Sequence, residues 1–226
     1  MSPKNKLRLT QFDDWQNVAR LVSLPDQLME RAKAGEANRL AGLDAMHATA
    51  ITILLACPMR IKNLASLDLD RHLITHAHGT HTIYTIRIEG SEVKNGEDIE
   101  VQLSARNSRL LHQYITRFRP LVSKVPGTAL FPKLSNGQPR SACNLGDEVK
   151  QCVHRETGIT VSPHLFRHIA AMLYLRERPG DFETVRRLLK HRTLQTTMDF
   201  YAELSNKWAH EQYDKAVLSK WGGSDD

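Results

Sequence analysis

Ser162-Pro163-His164-Leu165-Phe166-Arg167-His168 is the stretch whose reading decides the fold. A serine able to cap a helix, followed by a proline suited to the first helical position, places His164 at the start of a helix that continues to about Arg176. Residues three apart on a helix lie on one face, so His164 and Arg167 stand side by side. An imidazole and a guanidinium presented together form a grip for an anion.

Downstream, Pro179-Gly180 ends that helix and Asp181 caps the next, Phe182 to Leu189, with Lys190, His191 and Arg192 at its C-terminal end. Thr193 then caps a helix that carries Tyr201. Upstream, helices are expected over Asn144 to Thr157 and over Ser104 to Phe118, with Ser104 as a cap, and the Pro- and Gly-containing loop Pro120 to Pro139 separates them. Between Leu73 and Leu103 the apolar period shortens to two: Ile83, Ile86 and Ile88, then Ile99, Val101 and Leu103, with Lys-Asn-Gly-Glu-Asp as the turn. This is a small antiparallel sheet with Lys94 beside the Asn95-Gly96 turn. Leu43, Met46, Ala50, Ile53, Leu54 and Cys57 recur at three- and four-residue steps, a helix with a wide buried face, and Pro58 and Arg60 follow it. Residues 1–35 are polar, with a helical patch from Phe12 to Leu21 and a break at Leu24-Pro25, and read as an arm or linker. The predicted fold class is mainly α with a small antiparallel β-sheet (α+β).

The chemistry-bearing residues suit one substrate class. A phosphodiester is anionic, and its charge spreads during displacement, so fixed guanidinium forks at its nonbridging oxygens accelerate reaction. Arg60 and Arg167 fill that role. A phenol with an ordinary pKa near 10 needs a base or an electropositive pocket to become a nucleophile; His164, His191 and the arginines supply both for Tyr201. A leaving 5′ oxygen needs a proton, and Lys94 on its hairpin is placed to give one.

At these residues the sequence resembles the tyrosine recombinase (phage integrase) family over about residues 36 to 215. Cys57-Pro-Met-Arg-Ile-Lys-Asn-Leu64 is similar to the family's T-G-x-R-x-x-E-L, and Pro163-His-Leu-Phe-Arg-His168 to its H-x-x-R box. Leu189-Lys-His-Arg-Thr-Leu-Gln-Thr-Thr197, with Tyr201 beyond, is similar to L-G-H-x-x-x-x-T-T followed by tyrosine. Pro58 and Lys190 stand where the family has glycine, and Asn63 where it has an acidic residue. The resemblance implies the family's catalytic-domain fold, with residues 36–218 as that domain, 219–226 as a flexible tail, and no separate N-terminal DNA-clamping domain in the chain. It implies a DNA recombinase that cuts and rejoins through a 3′-phosphotyrosyl link, without cofactor, metal or ATP. Tyr201 is the nucleophile, Arg60, Arg167 and His191 hold the phosphate, His164 takes the phenol proton, Lys94 protonates the leaving oxygen, and His168 supports the site from behind. Lys62, Lys190 and Arg192 contact the DNA backbone. The partners implied are double-stranded DNA and a homo-tetramer on paired sites, with a monomer when isolated, and Asn206 to Leu218 is a docking helix of suitable length. A type IB topoisomerase-like relaxing enzyme and a DNA-binding protein without catalysis are the alternatives.

Composition agrees with a nucleic-acid partner: 31 Lys and Arg against 25 Asp and Glu give a net charge of +6. No aromatic stacking motif favours RNA. Cys57, Cys143 and Cys152 lack the C-x-x-C spacing of a zinc or redox site and read as reduced thiols. His72, His76, His78 and His81 alternate as in a strand and turn, with no carboxylate or cysteine at metal-ligand spacing. No signal peptide or membrane-spanning stretch is expected, and the predicted location is cytoplasmic, with the nucleoid.

Overall fold

The apolar stretch around Ala45 to Leu54 forms the buried centre of a helix, α3 (Arg39–Ala56), whose N-terminus is capped by Asn38 accepting from the Leu40 and Ala41 amides at 2.9 and 3.1 Å. The structure is a computed structural model and describes residues 3–79 and 81–218. With 18 residues and a mean hydropathy of 1.2, α3 meets the length and composition of a bilayer-crossing helix, contrary to the expectation from sequence, but 72% of it is buried inside the fold. Its apolarity belongs to a core.

Before it come α1 (Pro3–Leu9) and α2 (Trp15–Ala34). The segment expected to be an arm is therefore helical, and α2 packs on α3 through Leu21, Leu24, Leu28, Met29 and Ala32. Pro25 lies inside α2 without ending it. A proline forfeits one backbone hydrogen bond, and here the buried stripe on both sides of it keeps the helix running. Arg31 of α2 then reaches Asp44 of α3 and Glu156, binding three helices through one guanidinium.

After the short helices α4 (Ile61–Ala65) and α5 (Leu69–His72), the chain forms the expected antiparallel sheet, in the order β1 (Leu73–His78), β2 (His81–Ile88), β3 (Ile99–Gln102). Ile86 pairs with Leu73 on one side and Val101 on the other, which sets the register by the apolar alternation. The helices α6 (Ala105–Gln113), α7 (Arg119–Val122), α8 (Ala142–Thr157) and α9 (Pro163–Glu177) follow, with a π-helical turn at Tyr114–Phe118 between α6 and α7. Ser104 and Ser141 cap α6 and α8 with their hydroxyls. The last elements are α10 (Phe182–Leu189) and α11 (Leu194–Tyr213), and a π-helical turn (Asp214–Leu218) extends α11, so Asn206 to Leu218 continues a longer helix. The tail expected over 219–226 lies outside the described residues.

The chain divides into two compact units within α9, the first ending at Arg167 and the second beginning at His168. In the first, Phe12, Met46, Tyr114, Phe118, Phe131 and Phe166 are fully buried around α3. In the second, α10 packs on α11 over Val185, Leu189, Tyr201 and Trp208. Cys57 and Cys152 are buried, Cys143 is exposed, and all three are free thiols.

Candidate active site

The starts of two helices, α9 and α4, aim the cationic residues of the first unit. α9 begins at Pro163, as Ser162-Pro163 predicts, with the Leu165 amide donating to the Ser162 carbonyl at 2.8 Å. His164 is exposed in the first turn, and Arg167 is buried beneath it with only 6% of its surface accessible. Nη1 of Arg167 donates to the Pro58 carbonyl at 2.5 Å. The residue in place of the family's glycine thus serves Arg167 with its main chain, to which a pyrrolidine ring is no obstacle. Arg60 is the extended residue that leads into α4, and its Nη1 donates to Asn95 Oδ1 at 3.4 Å, a long bond to the loop that holds Lys94.

Arg60, Lys62, Lys94 and His164 line one cleft of about 540 Å³, together with Asn63 and Glu92. Lys62 and Lys94 are exposed there. The His164 imidazole is held below the ordinary histidine value, first by partial desolvation in the cleft wall and then by the Arg167 and Arg60 charges. The lowering favours the neutral form of the ring beside these cations, the form able to accept a proton. Asn63 is buried, and its Nδ2 has no acceptor among the described residues. A carboxylate at that position would neutralise one of the cleft's cations, and the amide leaves the charge intact.

In the second unit, Lys190 ends α10 in the left-handed conformation, with φ 51° and ψ 48°. A residue at this turn must adopt positive φ, which is why glycine suits it and lysine is strained. The turn exposes Arg192 and folds His191 back: its amide donates to the Arg186 carbonyl at 3.0 Å, and Arg186 Nη1 donates to the His191 carbonyl at 3.1 Å. His191 Nδ1 lies 3.0 Å from Oγ1 of Thr197, a fully buried residue of α11. Thr193 caps α11 by accepting from the Thr196 amide at 3.3 Å. One turn later comes Tyr201, 1% exposed, with its hydroxyl 2.7 Å from Nδ1 of His168 and the two rings tilted by 56°.

The structure thus gathers Arg60, Lys62, Lys94 and His164 around one cleft, adds Arg167 on the helix face of His164, and joins His168 to Tyr201 within the second unit. Four contacts were not read from sequence: the Pro58 carbonyl, Asn95, Glu92 and Thr197. Only Thr197 left a trace, as the second threonine of the Thr196-Thr197 pair. The metal-suggestive histidines are engaged otherwise: His72 bonds to Glu92 and the Asp68 amide, and His76 lies 3.2 Å from the Thr85 hydroxyl. The side chains of His78 and His81 lie outside the described ones.

The comparisons agree with this fold. The model of the phage integrase family matches residues 25–207, and the chain belongs to that family, the tyrosine recombinases. The provisionally named integrase/recombinase y4eF of Sinorhizobium fredii (strain NBRC 101917 / NGR234) is 26% identical over 203 residues, 86% of this chain and 73% of that protein. A second from that organism, y4qK, is 26% identical over 201 residues, 86% of this chain and 59% of that protein. Among solved structures, the XerH site-specific recombinase bound to palindromic difH substrate, a post-cleavage complex, has a TM-score of 0.59 at 20% identity, covering 89% of this chain and 52% of that one. XerA recombinase has a TM-score of 0.56 at 17% identity, covering 86% of this chain and 62% of that one. The chain therefore spans about half of the XerH chains and 62% of the XerA chain, and the shared feature is the fold of the catalytic domain.

Proposed function

We propose that the protein breaks and rejoins double-stranded DNA through a covalent phosphotyrosyl intermediate, as a site-specific recombinase. Tyr201 attacks the phosphorus, the bond to the 5′ oxygen breaks, and a 3′-phosphotyrosyl link and a free 5′ hydroxyl result. The 5′ hydroxyl of a partner strand reverses the step. Bond energy is kept in the link, so the cycle needs no ATP, and the cations of the chain take the place of a metal. Arg60, Arg167 and His191 hold the nonbridging oxygens, His164 accepts the phenol proton, and Lys94 protonates the leaving oxygen. His168 orients the Tyr201 hydroxyl, and Lys62, Lys190 and Arg192 contact phosphates along the backbone. Strand exchange needs two duplexes, so the working form is a homo-tetramer on paired sites, acting where the DNA is.

The observation that carries this proposal is the cleft in which Arg60, Lys94 and a His164 kept below its ordinary pKa converge. No carboxylate cluster suited to magnesium accompanies it among the described residues. The test is covalent trapping on a pool of nicked duplexes with randomised cores. Wild type should yield a protein–DNA adduct stable to denaturant, and Tyr201→Phe should yield none. Duplex binding without any adduct from wild type would leave a DNA-binding protein and overturn the enzymatic assignment.

A further inference from the structure

The loop between β2 and β3 carries Lys94, and it is more firmly built than a hairpin tip requires. Gly90 accepts no side chain: a Cβ there would lie 2.3 Å from the Gly96 carbonyl oxygen. The Gly90 amide donates to Asp98 Oδ1 at 2.7 Å, the Val93 amide to the Gly90 carbonyl at 3.0 Å, and the Gly96 amide to the Val93 carbonyl at 2.9 Å. Val93 is buried, and its neighbour Lys94 is exposed toward the cleft.

A carboxylate sits in the same wall. Glu92 lines the cleft with Arg60, Lys62, Lys94 and His164. Unrestrained, it would repel a phosphate and attract the Lys94 ammonium, so its two oxygens need other partners. Oε1 is 3.1 Å from Nε2 of His72, and Oε2 is 3.4 Å from Nη1 of Arg71. His72 is 2% exposed, and its Nδ1 lies 2.9 Å from the Asp68 amide. An amide hydrogen pointing at Nδ1 makes that nitrogen the acceptor, so the ring hydrogen is on Nε2 and is donated to Glu92. Asp68 is itself anchored, accepting from the Asp70 and Arg71 amides at 3.0 and 3.1 Å and from the Thr128 hydroxyl at 2.6 Å. The start of α5, His72, Glu92 and the Lys94 loop form one continuous hydrogen-bonded chain.

We propose that His72 is a positioning residue for leaving-group protonation: by its Nε2–H bond to Glu92 it draws that carboxylate aside and fixes the loop that presents Lys94. The proposal rests on the assignment of Lys94 as proton donor. In the step it serves, the P–O5′ bond breaks as a proton passes from the Lys94 ammonium to the 5′ oxygen. The lysine is left neutral and recovers the proton when the joining step runs in reverse.

A duplex whose cleaved 5′ oxygen is replaced by sulfur separates this role from a merely structural one, since a thiolate leaves without protonation. Rates of adduct formation would be measured on nicked oxygen and sulfur duplexes for wild type, Lys94→Ala, His72→Phe and the surface variant Glu92→Ala, beside duplex affinity and thermal melts. On oxygen DNA, His72→Phe and Glu92→Ala should be slower by on the order of tenfold to a hundredfold, within what a positioned general acid supplies. On sulfur DNA both should return to near the wild-type rate, as Lys94→Ala should, when rates are compared at saturating duplex. Equal slowing on both duplexes by Glu92→Ala, or no slowing, overturns the positioning role while Lys94 stands. Lys94→Ala that sulfur does not rescue removes the donor and this inference with it. Absence of any wild-type adduct on either duplex overturns the proposed function itself.

Discussion

Lys190 meets two demands at once. Its backbone holds the left-handed conformation that closes α10, and its ammonium is the group proposed to contact a DNA phosphate. A lysine there costs about 1 kcal/mol relative to glycine, so Lys190→Gly should raise stability by roughly that amount in chemical denaturation while lowering affinity for duplex DNA. A strain-free lysine would give no gain. His164 yields a second expectation. Desolvation and then the charges of Arg167 and Arg60 hold it below the ordinary histidine value, so it takes up a proton at a lower pH than an ordinary histidine does. If it accepts the phenol proton, the rate of adduct formation should decline on the acid side only below the ordinary histidine value, and a decline centred at or above that value would argue against it. At this scale the sequence was informative where side chains carry the proposed chemistry, as at His164, Arg167 and Tyr201. Asn95, Glu92 and the Pro58 carbonyl were hidden because each owes its place to chain segments distant in sequence, and a carbonyl leaves no letter in the text.

Among elements, α2, α3 and α8 are bound by the Arg31 guanidinium between Asp44 and Glu156. The bonds from Arg31, aided by Arg155, bring the Glu156 carboxyl down to about 2, against an ordinary value of 4.5. A carboxyl whose pKa is lower in the folded state stabilises fully above its unfolded value, and that stabilisation is lost as pH falls toward the folded one. The melting-temperature difference between wild type and Glu156→Gln should therefore be largest near neutral pH and shrink as pH drops from about 4.5 to about 2. A gap that stays constant across that window would show that Glu156 is not stabilised by its charge. These helices also show what pattern reading can miss. Caps at Ser104, Asp181 and Thr193 and the alternation through Ile86 and Val101 were readable because each is a local rule. The path of α2 through Pro25 was not, because the stripe that sustains it is recognisable only once α3 is in place against it.

For the molecule as a whole, the net charge of +6 sets the expectation for DNA. Phosphate contacts release counterions, so affinity should fall linearly on a double-logarithmic salt plot, with a slope of about −0.9 for each contact. The exposed pair Lys62 and Arg192 should each contribute, and Lys62→Ala with Arg192→Ala should flatten the slope by about 1.8 in a fluorescence titration. An unchanged slope would place the DNA elsewhere on the surface. The bond between Arg167 and the Pro58 carbonyl carries a consequence for descent. An acceptor that belongs to the main chain cannot be deleted by any codon change at its own position, so position 58 is free to drift among residues that keep the local path of the chain. Pro58 itself fits that freedom, since a pyrrolidine ring removes the amide hydrogen and leaves the carbonyl that the guanidinium uses.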